Sequence, residues 1–373
     1  MHFSTPGQVT TGITKPIKKY QNPAVFPGDR RFDSYPNNHC TGMTDNKQGV
    51  QYLTTDLYGR KPRNVIELLN KRRQSSYRPG DSDGNRIGLI VEGGSMRGII
   101  SSAALDALAE LGYRDCFDEV WGTSSGAINA AYFVSGQVGI GTAIYHEVAT
   151  SSAFINLWRW PDLIDIDWLI DNLVASGKLL DIEGIMRSRT DLHISATNVD
   201  TGTAAFFSNR DNRPDIIIPA LRASACAPLY TTRNEQIDSH FYNDGMVQAG
   251  IPVATAAARC THLVAALTRR IGYRKRRPAL LALFESVRLR GYSDAYRQNY
   301  RMRHILYNNA LDILFSGDAG PHSLVIAPGP RDNLVRNSET RAKLLKQAIR
   351  ESTDRIEQIF ATKSHSNEML QAN

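Results

Sequence analysis

The chain has 373 residues, of which 42% are hydrophobic and 22% are charged, a composition typical of a globular protein with one large domain or two modest ones. Its formal net charge is +7, and the whole excess of positive charge falls within residues 1–86. No run of about 18 apolar residues occurs, and residues 1–19 contain no apolar segment of the secretory type, so we expect neither a membrane-spanning helix nor a secretory signal.

The N-terminal part of the chain is predicted to be a basic, mostly irregular arm over residues 1–84. Residues 1–62 are rich in Pro, Gly, Asn, Thr and Lys and have few apolar clusters, so they cannot build a core of their own. Residues 64–73 are predicted to form a short helix with a basic end, and the Pro- and Gly-containing stretch after it has the composition of a linker. We expect a folded domain over residues 85–330 and a C-terminal helix and tail over residues 331–373.

Strand-like and helix-like segments alternate within the predicted domain. A buried-strand run over residues 87–91 precedes a helical segment over residues 99–111, and a short strand over residues 119–121 precedes another over residues 127–134. This alternation predicts an α/β fold, a three-layer α/β/α sandwich with a mostly parallel central sheet. Ligands bind at the carboxyl ends of the strands in such sheets, so we expect a site where these two strands end.

The first strand leads into a glycine-rich loop. A glutamate follows the strand, and six loop residues then lead to the helix: Gly93, Gly94, Ser95, Met96, Arg97 and Gly98. Such a loop presents several backbone N–H groups to one point, where they can hold a phosphate or the oxyanion of an acyl-transfer reaction.

The second strand leads into the pattern G-x-S-x-G, formed by Gly122, Ser124 and Gly126. This pattern is typical of a nucleophile elbow, a sharp strand-to-helix turn on which a serine hydroxyl stands clear of the backbone. The flanking glycines let neighbouring elements approach, and the helix N-terminus adds partial positive charge near the hydroxyl. By itself the pattern is equally compatible with a turn that has no chemistry.

An aspartate on a later turn is the candidate base for this serine. Asp244 and Gly245 follow a short aromatic segment and precede Met246. An aspartate on a turn can reach a serine hydroxyl and take its proton. Because Ser124 and Asp244 are far apart in the sequence, only the fold can bring them together.

In this order, the glycine-rich loop, the elbow and the Asp-Gly turn resemble those of the patatin-like phospholipases, and in particular a bacterial branch of that family. The family's motifs are G-G-G-x-R-G, then G-x-S-x-G, then D-G-G or D-G-A. Segments over residues 197–202, 221–229 and 267–275 are also similar to the family, and the resemblance covers roughly residues 86–330.

Two positions depart from the family's motifs. Ser95 stands where the family has the third loop glycine, and Met246 stands where it has a small residue. If the loop position needs a positive φ, a serine there costs about 1 kcal/mol or more. Neither change removes a reacting group.

The resemblance implies a lipid acyl hydrolase, a phospholipase A-type serine esterase that works through an acyl-enzyme. It implies that Ser124 is the nucleophile and Asp244 its base. It also implies that N–H groups of Gly94, Ser95 and Met96 hold the oxyanion and that the side chain of the loop arginine anchors the loop or attracts a headgroup phosphate. The expected partners are a phospholipid or other acyl-ester lipid and a membrane surface, without nucleic acid, while the oligomeric state stays open.

Three other hypotheses stay open at the level of the sequence. The same acyl-enzyme would allow acyl transfer to another alcohol. An α/β-hydrolase triad would join Ser124 and Asp244 to His262, His304 or His322, in the chain order usual for that fold. The third hypothesis is a catalytically silent protein that binds lipid or nucleic acid, and it is supported only by the two departures from the family's motifs.

Two further stretches have an open role. Residues 158–170 hold the densest cluster of aromatic and apolar side chains, which suits a lid, an acyl-chain groove, an interfacial surface or an ordinary buried helix face. Residues 269–277 are a basic run without an acid, and arginines and tyrosines alternate over residues 288–307. These residues suit a nucleic acid, phospholipid headgroups or a solvated helix face, and the motifs above favour lipid.

The cysteines and histidines are scattered through the chain. Cys40, Cys116, Cys226 and Cys260 show no C-x-x-C spacing, which argues against a zinc site or a disulfide framework. The nine histidines form no H-E-x-x-H or H-x-E pattern. We therefore expect no metal and no cofactor, and a reducing, cytoplasmic location with peripheral membrane attachment as the alternative.

Overall fold

The computed structural model describes residues 59–315, 320–330, 332–333 and 335–361. Most of the predicted arm and the end of the predicted tail therefore lie outside the described residues. Within them, eight strands form one sheet, and eleven α-helices pack around it.

The strands are three to eight residues long. In chain order they are β1 (Ile87–Val91), β2 (Glu119–Thr123), β3 (Asp191–Asn198), β4 (Ala204–Ser208), β5 (Glu235–Ile237), β6 (His240–Asp244), β7 (His262–Ala266) and β8 (His322–Ile326). The helices are α1 (Pro62–Gln74), α2 (Ile99–Glu110), α3 (Ser125–Ser135), α4 (Ile140–Glu147), α5 (Ile166–Ala175), α6 (Ile182–Arg187), α7 (Ile217–Ala225), α8 (Val253–Ala257), α9 (Ala279–Arg288), α10 (Asp294–Phe315) and α11 (Ala342–Ala361).

The sheet is mixed and mostly parallel. Its strand order is β5-β6-β3-β2-β1-β7-β8, and β4 pairs with β3 outside this order. The neighbouring strands among β1, β2, β3, β7 and β8 pair in parallel, whereas β4, β5 and β6 are antiparallel to the strands they pair with. Helices cover both faces, as a parallel sheet requires. The predicted α/β fold with a mostly parallel central sheet is confirmed.

Each face of the sheet carries its own core. Successive residues of a strand point to opposite faces, and in β1 the side chain of Leu89 enters one core while that of Ile90 enters the other. The larger core is shared with α1, α2, α3, α7 and α11, and the smaller core with α8 and α10. These are the three layers of the sandwich.

Helix α1, which precedes the domain predicted over residues 85–330, packs against that domain. Helix α1 buries three apolar side chains in the larger core. Arg72 is 1% exposed and forms ion pairs of 2.8 Å with both Asp83 and Asp118. The backbone N–H of Arg60 donates to the carbonyl oxygen of Leu314 at 3.1 Å. Asp83, which lies in the stretch predicted to be a linker, is thus held by the buried Arg72, and composition alone does not reveal this contact.

The predicted C-terminal segment contains α11, which packs against α2. Leu345, Ala348, Ile356 and Ile359 are buried in the larger core. Their spacing places them on one side of the helix, so the helix is amphipathic and covers the sheet layer from outside. None of the described helices is both long and apolar enough to cross a bilayer.

Candidate active site

The predicted site residues meet at the edge of the sheet where the parallel strands end. Strand β3 links them, because Thr123 of β2 lies opposite Ser195 and the next residue, Ala196, lies opposite Asp244 of β6. Ser124 follows Thr123 directly, so the register places Asp244 at nearly the same level of the sheet, two strands away. The loop after β1 ends at the same edge.

Ser124 occupies the sharp turn between β2 and α3. Its φ is 57° and its ψ −134°, a conformation that residues other than glycine rarely adopt and that concentrates at functional sites. The backbone N–H of Ser124 donates to Oγ of Ser224 at 2.8 Å, which holds the turn. Helix α3 begins at Ser125, so its positive N-terminal end lies next to the Ser124 hydroxyl.

Glycines allow the loop after β1 to touch this turn. A Cβ on Gly93 would overlap the carbonyl oxygen of Thr123, and a Cβ on Gly126 would overlap the carbonyl oxygen of Val91. Gly122 is enclosed as tightly by the backbone of α3. Any side chain at these positions would push the loop away from the elbow.

Asp244 is 1% exposed, and its carboxyl group is held from several sides. Its Oδ1 accepts the N–H of Met246 at 2.8 Å. The side chain of Ser124 lies close enough to lower the pKa of this carboxyl group, and the ammonium group of Lys275 lowers it through space. Burial raises the pKa of Asp244 to about 7, and these three groups act in the opposite direction. The carboxyl group therefore exchanges its proton near neutral pH.

The two residues after Asp244 have different requirements. A Cβ on Gly245 would overlap Oγ of Ser195, so this position accepts only glycine without a rearrangement. Met246 contributes its backbone N–H to Asp244, and its half-buried side chain packs beside Val247. The departure from the family's motif at Met246 thus leaves the contact with Asp244 intact.

Two N–H groups of the glycine-rich loop already have acceptors. The N–H of Gly94 donates to Oγ of Ser125 at 3.0 Å, and the N–H of Met96 donates to the carbonyl oxygen of Asn337 at 3.2 Å. Both belong to the donors that the family resemblance implies for an oxyanion. An oxyanion held by these two groups would have to replace Ser125 or Asn337 as their acceptor.

Arg97 anchors the glycine-rich loop. Its side chain is buried, and its guanidinium donates to Oγ1 of Thr268 at 3.2 Å and to the side-chain oxygen of Asn337. The guanidinium also lies against Gly94 and occupies the space that a Cβ would need there, and the φ of 145° at Gly94 independently favours glycine. These contacts tie the loop to the segment after β7 and to the segment before α11.

Two features of Ser95 destabilise the loop. Its φ is 53°, in the left-handed region that costs a residue with a Cβ about 1–2 kcal/mol. Its hydroxyl is also buried without a hydrogen-bond partner in the described part of the chain. Backbone strain was expected at Ser95 if its φ were positive, and its φ is positive.

A buried carboxylate that the motifs do not include supports the loop. Glu92 is 5% exposed and accepts the N–H of Thr268 at 2.6 Å and the hydroxyl of Tyr307 at 2.8 Å. It thereby joins the end of β1 to the residues after β7 and to α10. The sequence carries no signal for this role beyond the position of Glu92 next to the glycine-rich loop.

Three further residues around the site escaped prediction as site residues. Ser224 lies in the segment over residues 221–229 that resembles the family, and Lys275 ends a segment that also does, so the sequence held a signal for both. The ammonium group of Lys275 lies 5.3 Å from the ring centre of Tyr307. Ser125 follows the nucleophile position, and only the structure assigns it a partner in the loop.

The three histidines considered for a triad have partners other than Asp244. His262 and His322 begin β7 and β8, with ring centres 4.9 Å apart. They lie at the opposite edge of the sheet, four residues or roughly 13 Å from the carboxyl ends. His304 is on α10, where its Nδ1 lies 2.9 Å from the carbonyl oxygen of Arg301.

One group of possible metal ligands occurs within the described residues, and its surroundings do not suit a cation. Glu119, Asp191 and His193 bring one ligand atom each to within 4.8 Å of one another. The carboxylate of Glu119 accepts hydrogen bonds from Arg86 at 2.6 Å and from Arg259 at 3.0 Å. Two arginines repel a metal ion, and the group lies at the edge of the sheet opposite the elbow.

The fold and the site define a class: an α/β protein with a serine on a sharp strand-to-helix turn and a glycine-rich loop, both at the carboxyl edge of a mostly parallel sheet. Residues 89–257 match the family model for Patatin-like phospholipase. The resemblance predicted from the three motifs is therefore confirmed over this part of the chain. The match over this region supports a relation to lipid acyl hydrolases in general terms.

Two known proteins are similar to this chain, one in sequence and one in structure. The chain is 30% identical over 188 residues to YjjU of Escherichia coli (strain K12), described as uncharacterized, and this region is 48% of the chain and 50% of YjjU. The match thus spans about half the length of that relative. The chain is also similar to the crystal structure of VipD from Legionella pneumophila, with a TM-score of 0.43 and 11% identity over 75% of this chain and 67% of the other.

Proposed function

We propose that the protein is a phospholipase A-type lipid acyl hydrolase in which Ser124 and Asp244 form a catalytic dyad. Asp244 accepts the hydroxyl proton of Ser124 while Oγ attacks the carbonyl carbon of an ester. N–H groups of the glycine-rich loop stabilise the oxyanion. The C–O bond to the alcohol then breaks, and the alcohol leaves with the proton from Asp244, so that the acyl group remains on Ser124.

Water completes the proposed cycle. Asp244 takes a proton from a water molecule, whose oxygen attacks the acyl-enzyme, and the second tetrahedral intermediate releases a fatty acid. The proton returns from Asp244 to Oγ of Ser124, which restores the starting state. Acyl transfer would follow the same path with another alcohol in place of water.

The contact between Ser124 and Asp244 carries this proposal. An acid–base group is most effective when its pKa lies near the working pH, and the pKa of Asp244 is about 7. Burial of Asp244 disfavours its charged form, so the carboxylate gains from accepting the serine proton. A triad has less support. The rings of His262 and His322 contact each other, and Nδ1 of His304 lies near a backbone carbonyl oxygen of its own helix.

The proposed substrates are phospholipids and other acyl-ester lipids. These substrates reside in membranes, so the protein is proposed to act at a membrane surface as a cytoplasmic, peripherally attached enzyme. The proposed steps use no metal and no cofactor.

Covalent labelling of the full-length protein with a fluorophosphonate tests the nucleophile. Ser124→Ala should lose the label and the release of fatty acid from mixed lipids, both read by mass spectrometry, while its melting temperature stays close to that of the wild type. Ser176→Ala changes an exposed serine after α5 and is the matched control, which should keep both activities. Labelling or hydrolysis that survives in Ser124→Ala would show that another residue is the nucleophile.

A further inference from the structure

Helix α9 turns its apolar side to the solvent. Four large apolar side chains recur at i, i+3, i+4 and i+7 and are between 40% and 81% exposed: Leu280, Leu283, Phe284 and Val287. The buried residue of this helix is Glu285, whose carboxylate pairs with Arg277 and Arg303. A helix that hides a carboxylate and exposes an apolar stripe is the reverse of the usual arrangement on a globular protein.

A neighbouring loop extends this apolar stripe. Trp158 is 95% exposed and Trp160 is 58% exposed. The ring of Trp160 lies 5.7 Å from that of Phe284, centre to centre. The guanidinium of Arg288 lies 5.0 Å from the ring centre of Trp160 and donates to the carbonyl oxygen of Pro161 at 2.8 Å. The loop over residues 157–160 and the exposed side of α9 thus form one surface, the apolar platform.

The aromatic and apolar cluster over residues 158–170 falls into a buried part and an exposed part. Ile166 and Leu169 of α5 are buried in the larger core, as expected for an ordinary helix face. Trp158 and Trp160 precede that helix and belong to the apolar platform. Tryptophan suits the boundary between water and lipid, since its ring is apolar and its N–H is polar.

Arginines border the apolar platform. Arg276 lies just before α9 and Arg290 just after it, and both are exposed. Arg301 of α10 is exposed and lines a small cleft together with Ser286 of α9. These three arginines form no ion pair within the described ranges of the chain. Apolar side chains with a cationic rim complement an anionic bilayer, because the side chains enter the acyl boundary while the arginines meet phosphate groups.

Two acidic residues that follow the platform loop are paired with arginines of the protein. Asp167 pairs with both Arg222 and Arg233, and Asp165 lies 3.7 Å from Arg159. Their charges are therefore partly neutralised, which reduces repulsion from an anionic surface.

We propose that the apolar platform and its arginine rim dock the protein on an anionic phospholipid bilayer, an assignment whose purpose rests on the proposed lipid substrate. The platform is joined to the site. Leu289, at the end of α9, packs in one cluster with Val247, three residues after Asp244. Arg288 also donates to the carbonyl oxygen of Pro228 at 2.8 Å. Docking therefore brings the turn that carries Asp244 towards the lipid.

Sedimentation of the full-length chain with vesicles tests the platform directly. The probe is a vesicle of equal parts phosphatidylcholine and phosphatidylglycerol, compared with a vesicle of phosphatidylcholine alone. The triple variant Trp158→Ser, Leu280→Ser, Leu283→Ser should partition onto the mixed vesicles at least about tenfold more weakly than the wild type. Leu179→Ser is the matched control, since Leu179 is 56% exposed and lies outside the platform.

The contribution of the arginine rim to vesicle binding can be measured separately. Arg276→Gln and Arg290→Gln should each weaken partitioning by about fivefold at low salt, because each arginine adds about 1 kcal/mol near an anionic surface. The difference from the wild type should vanish at high salt, where the surface charge is screened. Rim variants that bind the mixed vesicles like the wild type at low salt would contradict the charge complementarity.

Hydrolysis of a soluble short-chain ester separates this proposal from the proposed function. The triple variant should cleave the soluble ester at the wild-type rate but release fatty acid from vesicles slowly. A wild type that binds vesicles and cleaves no ester would support the platform and contradict the enzyme. Unchanged vesicle binding by the triple variant would overturn the platform. If instead the wild type ignores vesicles and the triple variant turns a dimer into a monomer in light scattering, the platform binds protein and the lipid assignment is wrong.

Discussion

Replacing Asp244 by Asn is the sharpest test of the site, because it changes the chemistry and leaves the shape almost unaltered. The amide oxygen of Asn can still accept the N–H of Met246, which lies 2.8 Å from Oδ1 of Asp244. The amide cannot accept the proton of Ser124. General-base assistance is worth about 10²–10⁴-fold, so the rate of ester hydrolysis should fall by that factor.

The same substitution should stabilise the fold at alkaline pH. Burial raises the pKa of Asp244 from 3.8 to about 7, a shift of about three units or about 4 kcal/mol. A raised pKa means that stability from this group is present at low pH and lost as the pH rises through about 7. Asn carries no charge at any pH, so Asp244→Asn should gain up to about 4 kcal/mol above pH 7, and the gain should fade between pH 7 and 4.

The pH profile of the wild type provides a second measurement. The rate should fall as the pH drops below about 7, because Asp244 must be ionised to act as a base. The sequence leads one to expect this limb near the ordinary pKa of an aspartate, about 4, well apart from that of a histidine. Burial moves it to the range where histidine titrates, so the position of the limb does not distinguish the two. The temperature dependence does, since a carboxyl group has a small enthalpy of ionisation and an imidazole a large one.

Three measurements on Asp244→Asn decide the matter together: steady-state hydrolysis of a soluble ester, the pH profile, and urea unfolding at pH 8 and pH 5. Asp238→Asn alters an exposed aspartate on the same hairpin and serves as the control. A variant that keeps more than about a tenth of the wild-type rate would falsify the dyad. Loss of stability at pH 8 would instead show that the carboxylate is stabilised by its surroundings, and the argument from burial would be wrong.

Three further predictions follow from the surroundings of the site. Ser95→Gly should raise the free energy of unfolding by about 1 kcal/mol or more in urea titrations, because it relieves a φ of 53° and removes an unpaired buried hydroxyl; no gain would contradict the strain. Lys275→Met should move the acidic limb of the rate profile to higher pH, since the ammonium group lowers the pKa of Asp244, and an unmoved limb would deny that coupling. Arg72→Met should cost about 3–5 kcal/mol of stability by leaving two carboxylates without their partner, whereas Arg73→Met on the exposed side should cost little; equal effects would refute the buried network.

Local sequence determined much of the candidate site. The glycines at positions 93, 122 and 126 mark places where a side chain would collide with a neighbouring backbone. The turn at Ser124 is formed by adjacent residues, and its unusual dihedral angles follow from a strand that passes directly into a helix. The alternation of strands and helices likewise predicts the sheet, because periodicity is a property of neighbouring residues.

Several features depend on residues that are remote in the sequence. The linker-like composition before β1 conceals the ion pairs of Arg72 with Asp83 and Asp118, which include α1 in the domain. Asn337, near the C-terminal helix, accepts the N–H of Met96, an occupancy that no pattern around the loop indicates. Such pairings require partners from distant elements, whose positions are decided by the packing of the whole chain.

The sequence by itself determined which residues are candidates for the chemistry, while the tertiary structure decided their state and their surroundings. Ser124 and Asp244 are identifiable from short motifs, since glycine and a reactive side chain at fixed spacing are local requirements. The raised pKa of Asp244 and the exposure of the apolar face of α9 are not local properties. Each depends on which other elements of the fold cover the residue and exclude water from it. The burial of an atom depends on all the elements that pack around it, so only the folded chain determines it.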